Sequence, residues 1–84
     1  MHALIINRHD RFNGLEYAEV ETPLPAEGEV SIDVDFAGVG LIDALWTTGR
    51  MPSRLGRIPG LEVSGSIREL GAGVTDLTVG QKVA

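Results

Sequence analysis

The fold is decided by Glu29-Val30-Ser31-Ile32-Asp33-Val34-Asp35-Phe36, in which apolar residues at 30, 32, 34 and 36 alternate with polar residues at 29, 31, 33 and 35. Side chains of a strand point alternately to its two faces, so this stretch predicts an antiparallel strand with one buried and one solvated face. Working outward, Ala3 to Ile6 and Leu15 to Val20 read as two earlier strands around a polar turn whose dipeptide is Asn13-Gly14. Leu61 to Leu70 reads as a later strand in which Gly65 marks a bulge or a close backbone approach. Lys82-Val83-Ala84 begins one more. Between them, Leu41 to Thr48 has apolar residues at 41, 42, 45 and 46, an acid at Asp43 and a stop at Gly49, which predicts one short helix. Thr22 to Gly28 and Arg50 to Gly60 carry prolines and glycines and read as loops, and Gly71-Ala72-Gly73 turns the chain.

The class is therefore mainly β with one short helix. Eleven glycines and four prolines in 84 residues fit short strands joined by turns better than a helical bundle. A chain of this length holds a single small domain with a thin core. Seven basic against twelve acidic residues give a net charge of −5, which argues against a partner that is a nucleic acid or an anionic membrane. The sequence has no cysteine, so disulfides, thiolate ligands and cysteine nucleophiles are excluded. No apolar run approaches the ~20 residues of a membrane span, and a cytoplasmic location is expected.

Several residues invite a chemical reading. Gly38-Val39-Gly40-Leu41-Ile42-Asp43 imitates a dinucleotide fingerprint, but Asp43 stands where the third glycine belongs and would repel phosphate. Glycines easing a strand-to-helix turn explain it better. His2 and His9 are the only imidazoles, too few for a metal site, and are expected to be exposed and to bind nothing. Asp33 and Asp35 imitate a catalytic carboxylate pair but sit on the polar side of the strand, as solvated charges. From Phe12 to Gly49 there are eight acids and no basic residue, whereas Arg50, Arg54 and Arg57 cluster in the next loop. Such a loop could meet a phosphate, although keeping the loop soluble is the simpler reading. Trp46 reads equally as core or as the wall of an apolar pocket.

The opening Met-x-Ala-Leu strand, Pro25-Ala26-Glu27-Gly28-Glu29-Val30, Ala37-Gly38-Val39 before a helix with Asp43, and Pro59-Gly60-Leu61-Glu62 before the Gly65 strand occur in a telling order. Gly71-Ala72-Gly73-Val74-Thr75 and Val79-Gly80-Gln81-Lys82-Val83 complete it. The whole chain resembles the GroES-like N-terminal domain of the medium-chain dehydrogenase/reductase superfamily of alcohol dehydrogenases, and most of all its zinc-independent quinone-oxidoreductase and enoyl-reductase branch. The resemblance implies a partly open β-barrel, incomplete at its C-terminal end, with further strands and a Rossmann domain expected beyond Ala84. Open barrel edges imply self-association.

In function, the resemblance implies the substrate-side domain of an oxidoreductase that reduces a quinone or an activated C=C or carbonyl compound with NADPH or NADH. The isolated chain is expected to bind no cofactor and to be inactive. Zinc-binding relatives carry their ligands at positions that are Gly40, Leu41 and Leu61 here, so no metal is expected, although Glu62 remains. The branch's usual asparagine at position 40 and tyrosine at 45 are also replaced. No residue stands out as catalytic. Gly40, Leu41, Leu45 and Trp46 are the expected apolar wall of the cofactor and substrate pocket, with Gly40 permitting close approach. The alternative is a stand-alone GroES-like module that binds proteins and has no enzymatic activity.

Overall fold

A computed structural model describes residues 1–84. The elements are β1 (His2–Ile6), β2 (Leu15–Glu19), β3 (Val30–Ala37), α1 (Leu41–Thr48), β4 (Val63–Leu70) and β5 (Lys82–Val83). The strands form an antiparallel β1-β2 pair and an antiparallel β3-β4-β5 sheet, with no closed barrel. The chain divides into two compact units, Met1–Glu21 with Val39–Leu61 and Thr22–Gly38 with Glu62–Ala84. The core is thin, as expected: Ile6, Trp46 and Ile67 are the buried hydrophobic residues. No helix is long and apolar enough to cross a membrane.

In the first unit β1 pairs with β2 from His2↔Glu19 to Ile6↔Leu15, and the His2 ring stacks on Tyr17 at 5.1 Å. The intervening turn differs from expectation. Arg11, not Asn13-Gly14, takes the left-handed conformation (φ 49°), and the Asn13 N–H donates to the Asp10 carbonyl at 2.9 Å. Helix α1 has the predicted bounds. Gly40 is its N-cap in an extended conformation, and the Asp43 carboxylate accepts the Gly40 N–H at 2.9 Å. That bond satisfies one of the donors a helix start leaves open. Gly49 (φ 79°) ends the helix, its N–H donating to the Trp46 carbonyl.

The Arg50–Gly60 loop is irregular, as predicted, yet it is anchored at several points. The Met51 N–H donates to the Leu45 carbonyl at 3.1 Å and the Ser53 hydroxyl to the Trp46 carbonyl at 2.8 Å, so the loop satisfies carbonyls at the helix end. Farther on, the Ile6 N–H donates to the Arg57 carbonyl at 2.9 Å and the Gly56 N–H to the Ile6 carbonyl at 2.7 Å. The last residue of β1, fully buried, therefore clasps the loop through its backbone.

In the second unit β3 pairs along β4, and β5 joins through Gly65↔Val83 and Ser66↔Lys82. Alternating burial along β3 is not what the structure shows. Register shifts fall at Ser31/Ile32 and at Val34/Phe36, and Val34 and Phe36 are 53% and 77% exposed. Val34 pairs with Gly65 and Phe36 with its neighbour Ser64, so the bulge at Asp35 turns the two apolar side chains to opposite faces. Of the two readings of Gly65, the close backbone approach is the one the structure shows. It faces β3 next to the Asp35 bulge of that strand, and a Cβ there would stand 2.0 Å from the Asp33 carbonyl oxygen. Ile67, 2% exposed, is the buried centre of this unit.

Candidate functional site

The residues expected to carry function cluster at the two ends of α1 and in the loop after it. Gly40 and Leu41 open the helix and both face solvent, Leu41 being 77% exposed. A Cβ built at Gly40 would meet nothing within 4 Å, and its extended backbone (φ −130°) suits any residue. Nothing inside this chain requires glycine there. Leu45 is half-buried one turn later, while Trp46 belongs to the core at 9% exposed. The structure thus separates the four: Gly40 and Leu41 offer surface, Leu45 lies beside them on the helix, and Trp46 supports from within.

Asp43 is 8% exposed. One carboxylate oxygen accepts the Gly40 N–H and the other, Oδ1, is buried with no hydrogen-bond partner. It fixes the helix entry and hence the backbone of Gly40 and Leu41. At the other end of the helix the guanidinium of Arg57 lies 3.7 Å from the centre of the Trp46 ring, an attraction between cation and ring face. The sequence reading singled out both residues but did not connect them, because a contact across an eleven-residue separation leaves no local pattern.

The other singled-out residues fall outside this cluster or take structural roles. His9 is exposed as expected, but its ring nitrogens lie 3.4 Å from the Thr47 carbonyl and 3.3 Å from the Ser53 carbonyl. Both neighbours are acceptors, so a neutral ring donates to one at a time. The imidazole thus links helix end and loop. Asp33 lies 4.0 Å from Arg68 and Asp35 lies 3.2 Å from Lys82, so each carboxylate has its own cation and the two do not form a catalytic pair. No group of three or more His, Cys, Asp or Glu side chains comes together in a way that could hold a metal ion. The donor set at Gly40, Leu41 and Leu61 offers no nitrogen, oxygen or sulfur side-chain ligand, and zinc does not fit it.

With this geometry in place, residues 26–84 match the model of the alcohol dehydrogenase GroES-like domain. The chain belongs to that family. Among curated relatives, the GroES-like chain is 38% identical over 84 residues to the acryloyl-coenzyme A reductase of Metallosphaera sedula, covering 99% of this chain and 25% of that protein. Among solved structures, a mycobacterial protein complexed with NADPH superposes with a TM-score of 0.91 at 30% identity, covering 98% of this chain and 26% of that one. The cobalt- and zinc-bound thermostable alcohol dehydrogenase of Pyrobaculum aerophilum gives a TM-score of 0.89 at 36% identity, over 98% of this chain and 25% of that one. The GroES-like chain spans about a quarter of the length of these relatives. It is a member of an oxidoreductase family of the medium-chain dehydrogenase/reductase type, whose relatives include reductases, quinone oxidoreductases and alcohol dehydrogenases.

Proposed function

We propose that this GroES-like unit supplies the substrate-side wall of a zinc-independent, NAD(P)H-dependent oxidoreductase acting on a quinone or an activated C=C or carbonyl compound. The observation that carries the reading is the helix entry. Gly40, the N-cap of α1, is an unfilled position whose backbone and surroundings do not demand glycine, next to an exposed Leu41, in a family with a member solved in complex with NADPH. The missing side chain leaves room for a flat ring to approach the backbone, and Leu41 and Leu45 give that ring apolar company.

Bound there, the nicotinamide would supply the hydride. This chain's own residues orient and exclude water. Asp43 holds the Gly40 N–H and so fixes the backbone against which the ring would lie. The buried Trp46, flanked by Arg57, keeps the helix from yielding when a ligand presses on its entry. The one titratable side chain of the helix entry, Asp43, is buried and engaged with the Gly40 N–H, which fits a reaction whose difficult step belongs to the cofactor. The absence of donors at Gly40, Leu41 and Leu61 supports the zinc-independent reading over the zinc-bound relative's.

The test is an assay of full-length protein for NADPH and NADH oxidation with a quinone and with a 2-enoyl thioester, with and without prior chelator dialysis. Turnover with at least one acceptor, unchanged by chelation, is expected. Turnover lost on chelation and restored by zinc contradicts the proposal, as does a protein that turns over neither acceptor but binds protein partners.

A further inference from the structure

We infer that the turn Arg54–Arg57 is an anion site that takes a phosphate group of a ligand. The Arg57 N–H donates to the Arg54 carbonyl at 3.3 Å, closing a four-residue turn that brings its two end residues together. Gly56 stands third with φ 86°, a conformation that suits glycine. The turn is then fixed by the two backbone bonds to the buried Ile6. A turn that would otherwise be mobile is held on the edge of β1.

On this support stand two guanidinium groups. Arg54, Gly56, Arg57 and Ile58 line an open depression of about 600 Å³. The depression is open to solvent, so what it offers a ligand is the two guanidinium groups rather than enclosure. The Trp46 ring face restricts Arg57, so its N–H groups are pre-oriented. Neither arginine is paired: the ion pairs of the chain involve Arg8, Arg68 and Lys82, and no carboxylate lies within 4.0 Å of Arg54 or Arg57. In a chain with twelve acids and seven bases, two adjacent unpaired arginines around one depression are not the product of abundant positive charge. Guanidinium forks match phosphate oxygens in geometry and charge, and Ile58 offers an apolar edge to the group that bears the phosphate. A phosphate could come from a thioester carrier, as in a coenzyme A substrate, or from the nicotinamide cofactor. The inference goes beyond the proposed oxidoreductase activity and is read by binding alone, so it can fail or stand separately.

The experiment follows the arginine Nε–H NMR resonances of full-length protein titrated with inorganic pyrophosphate, then competed with adenosine 3′,5′-bisphosphate and with NADP⁺. Saturable shifts at Arg54 and Arg57 are expected, with affinity reduced about tenfold or more in Arg54→Gln. The exposed Arg54 side chain makes no hydrogen bond or ion pair in the structure, so this variant should melt with the wild type. Arg57→Lys keeps the charge but loses the fork, and should weaken binding while altering Trp46 fluorescence. Competition by the bisphosphate assigns the site to a thioester carrier, and competition by NADP⁺ to the cofactor. The inference is overturned by shifts that do not saturate, by unchanged affinity in Arg54→Gln, by displacement with equimolar sulfate as effective as either nucleotide, or by competition from neither nucleotide.

Discussion

The charges on β3 of the sheet and those on the loop after α1 are handled differently. In the β3-β4-β5 sheet, Asp33 faces Arg68 and Asp35 faces Lys82 across strands, so acids and bases on exposed side chains answer one another. In the unit of the β1-β2 hairpin, α1 and the following loop, Arg54 and Arg57 have no carboxylate partner and Asp43 keeps one buried oxygen without a donor. What differs is the support. Arg57 is unpaired yet held against a buried tryptophan, on a turn fixed by backbone hydrogen bonds, which is what a binding site needs, whereas the sheet's paired carboxylates are an ordinary solvated surface.

Removing each unit's centre gives the largest expected effect. Ile67→Ala in the sheet and Ile6→Ala in the hairpin should each cost about 3 kcal/mol, the usual loss for an emptied aliphatic site, measured by urea unfolding. A cost below about 1 kcal/mol for either would mean that its unit is held by something other than the buried side chain identified here.

A smaller effect sharpens the contrast in charge. Arg57→Ala should cost about 1 kcal/mol through loss of the tryptophan contact, and should change Trp46 emission, while Arg54→Ala should cost less than about 0.5 kcal/mol. Equal costs would mean that the ring contact does not distinguish the two. Smallest of all, a double-mutant cycle on Asp35 and Lys82 should give a coupling of about 0.5 kcal/mol or less that fades in salt, because both side chains are exposed. A coupling several times larger would make the sheet's ion pairs structural and weaken the comparison.

Local pattern made much of this legible. Helix α1 follows from its apolar spacing and its glycine stop, and the strands follow from alternation and turn residues to within a residue or two. Gly65 announced its close approach to β3 because few other roles suit a glycine inside a strand. Alternation predicts that Val34 and Phe36 share a buried face, whereas one inserted residue at Asp35 sends them to opposite faces, and no composition signal marks it. The clasp of Ile6 on Gly56 and Arg57 was out of reach for another reason. Backbone hydrogen bonds between distant residues carry no side-chain signature, so the arginines read as a solubilising loop until the turn beneath them was seen to be fixed. At the helix entry, the four expected wall residues fall within seven positions of sequence, but only the fold separates the exposed pair from the buried tryptophan.

The central claim is that the Gly40 position is kept empty for a ligand and not for the fold. Its most direct test is Gly40→Leu in the full-length protein, with thermal unfolding and steady-state kinetics of the proposed reduction measured on the same sample. A Cβ there meets nothing within 4 Å, so stability should change by less than about 1 kcal/mol while substrate KM rises about tenfold. Unchanged kinetics in an equally stable variant would contradict the claim and remove the helix entry from the site.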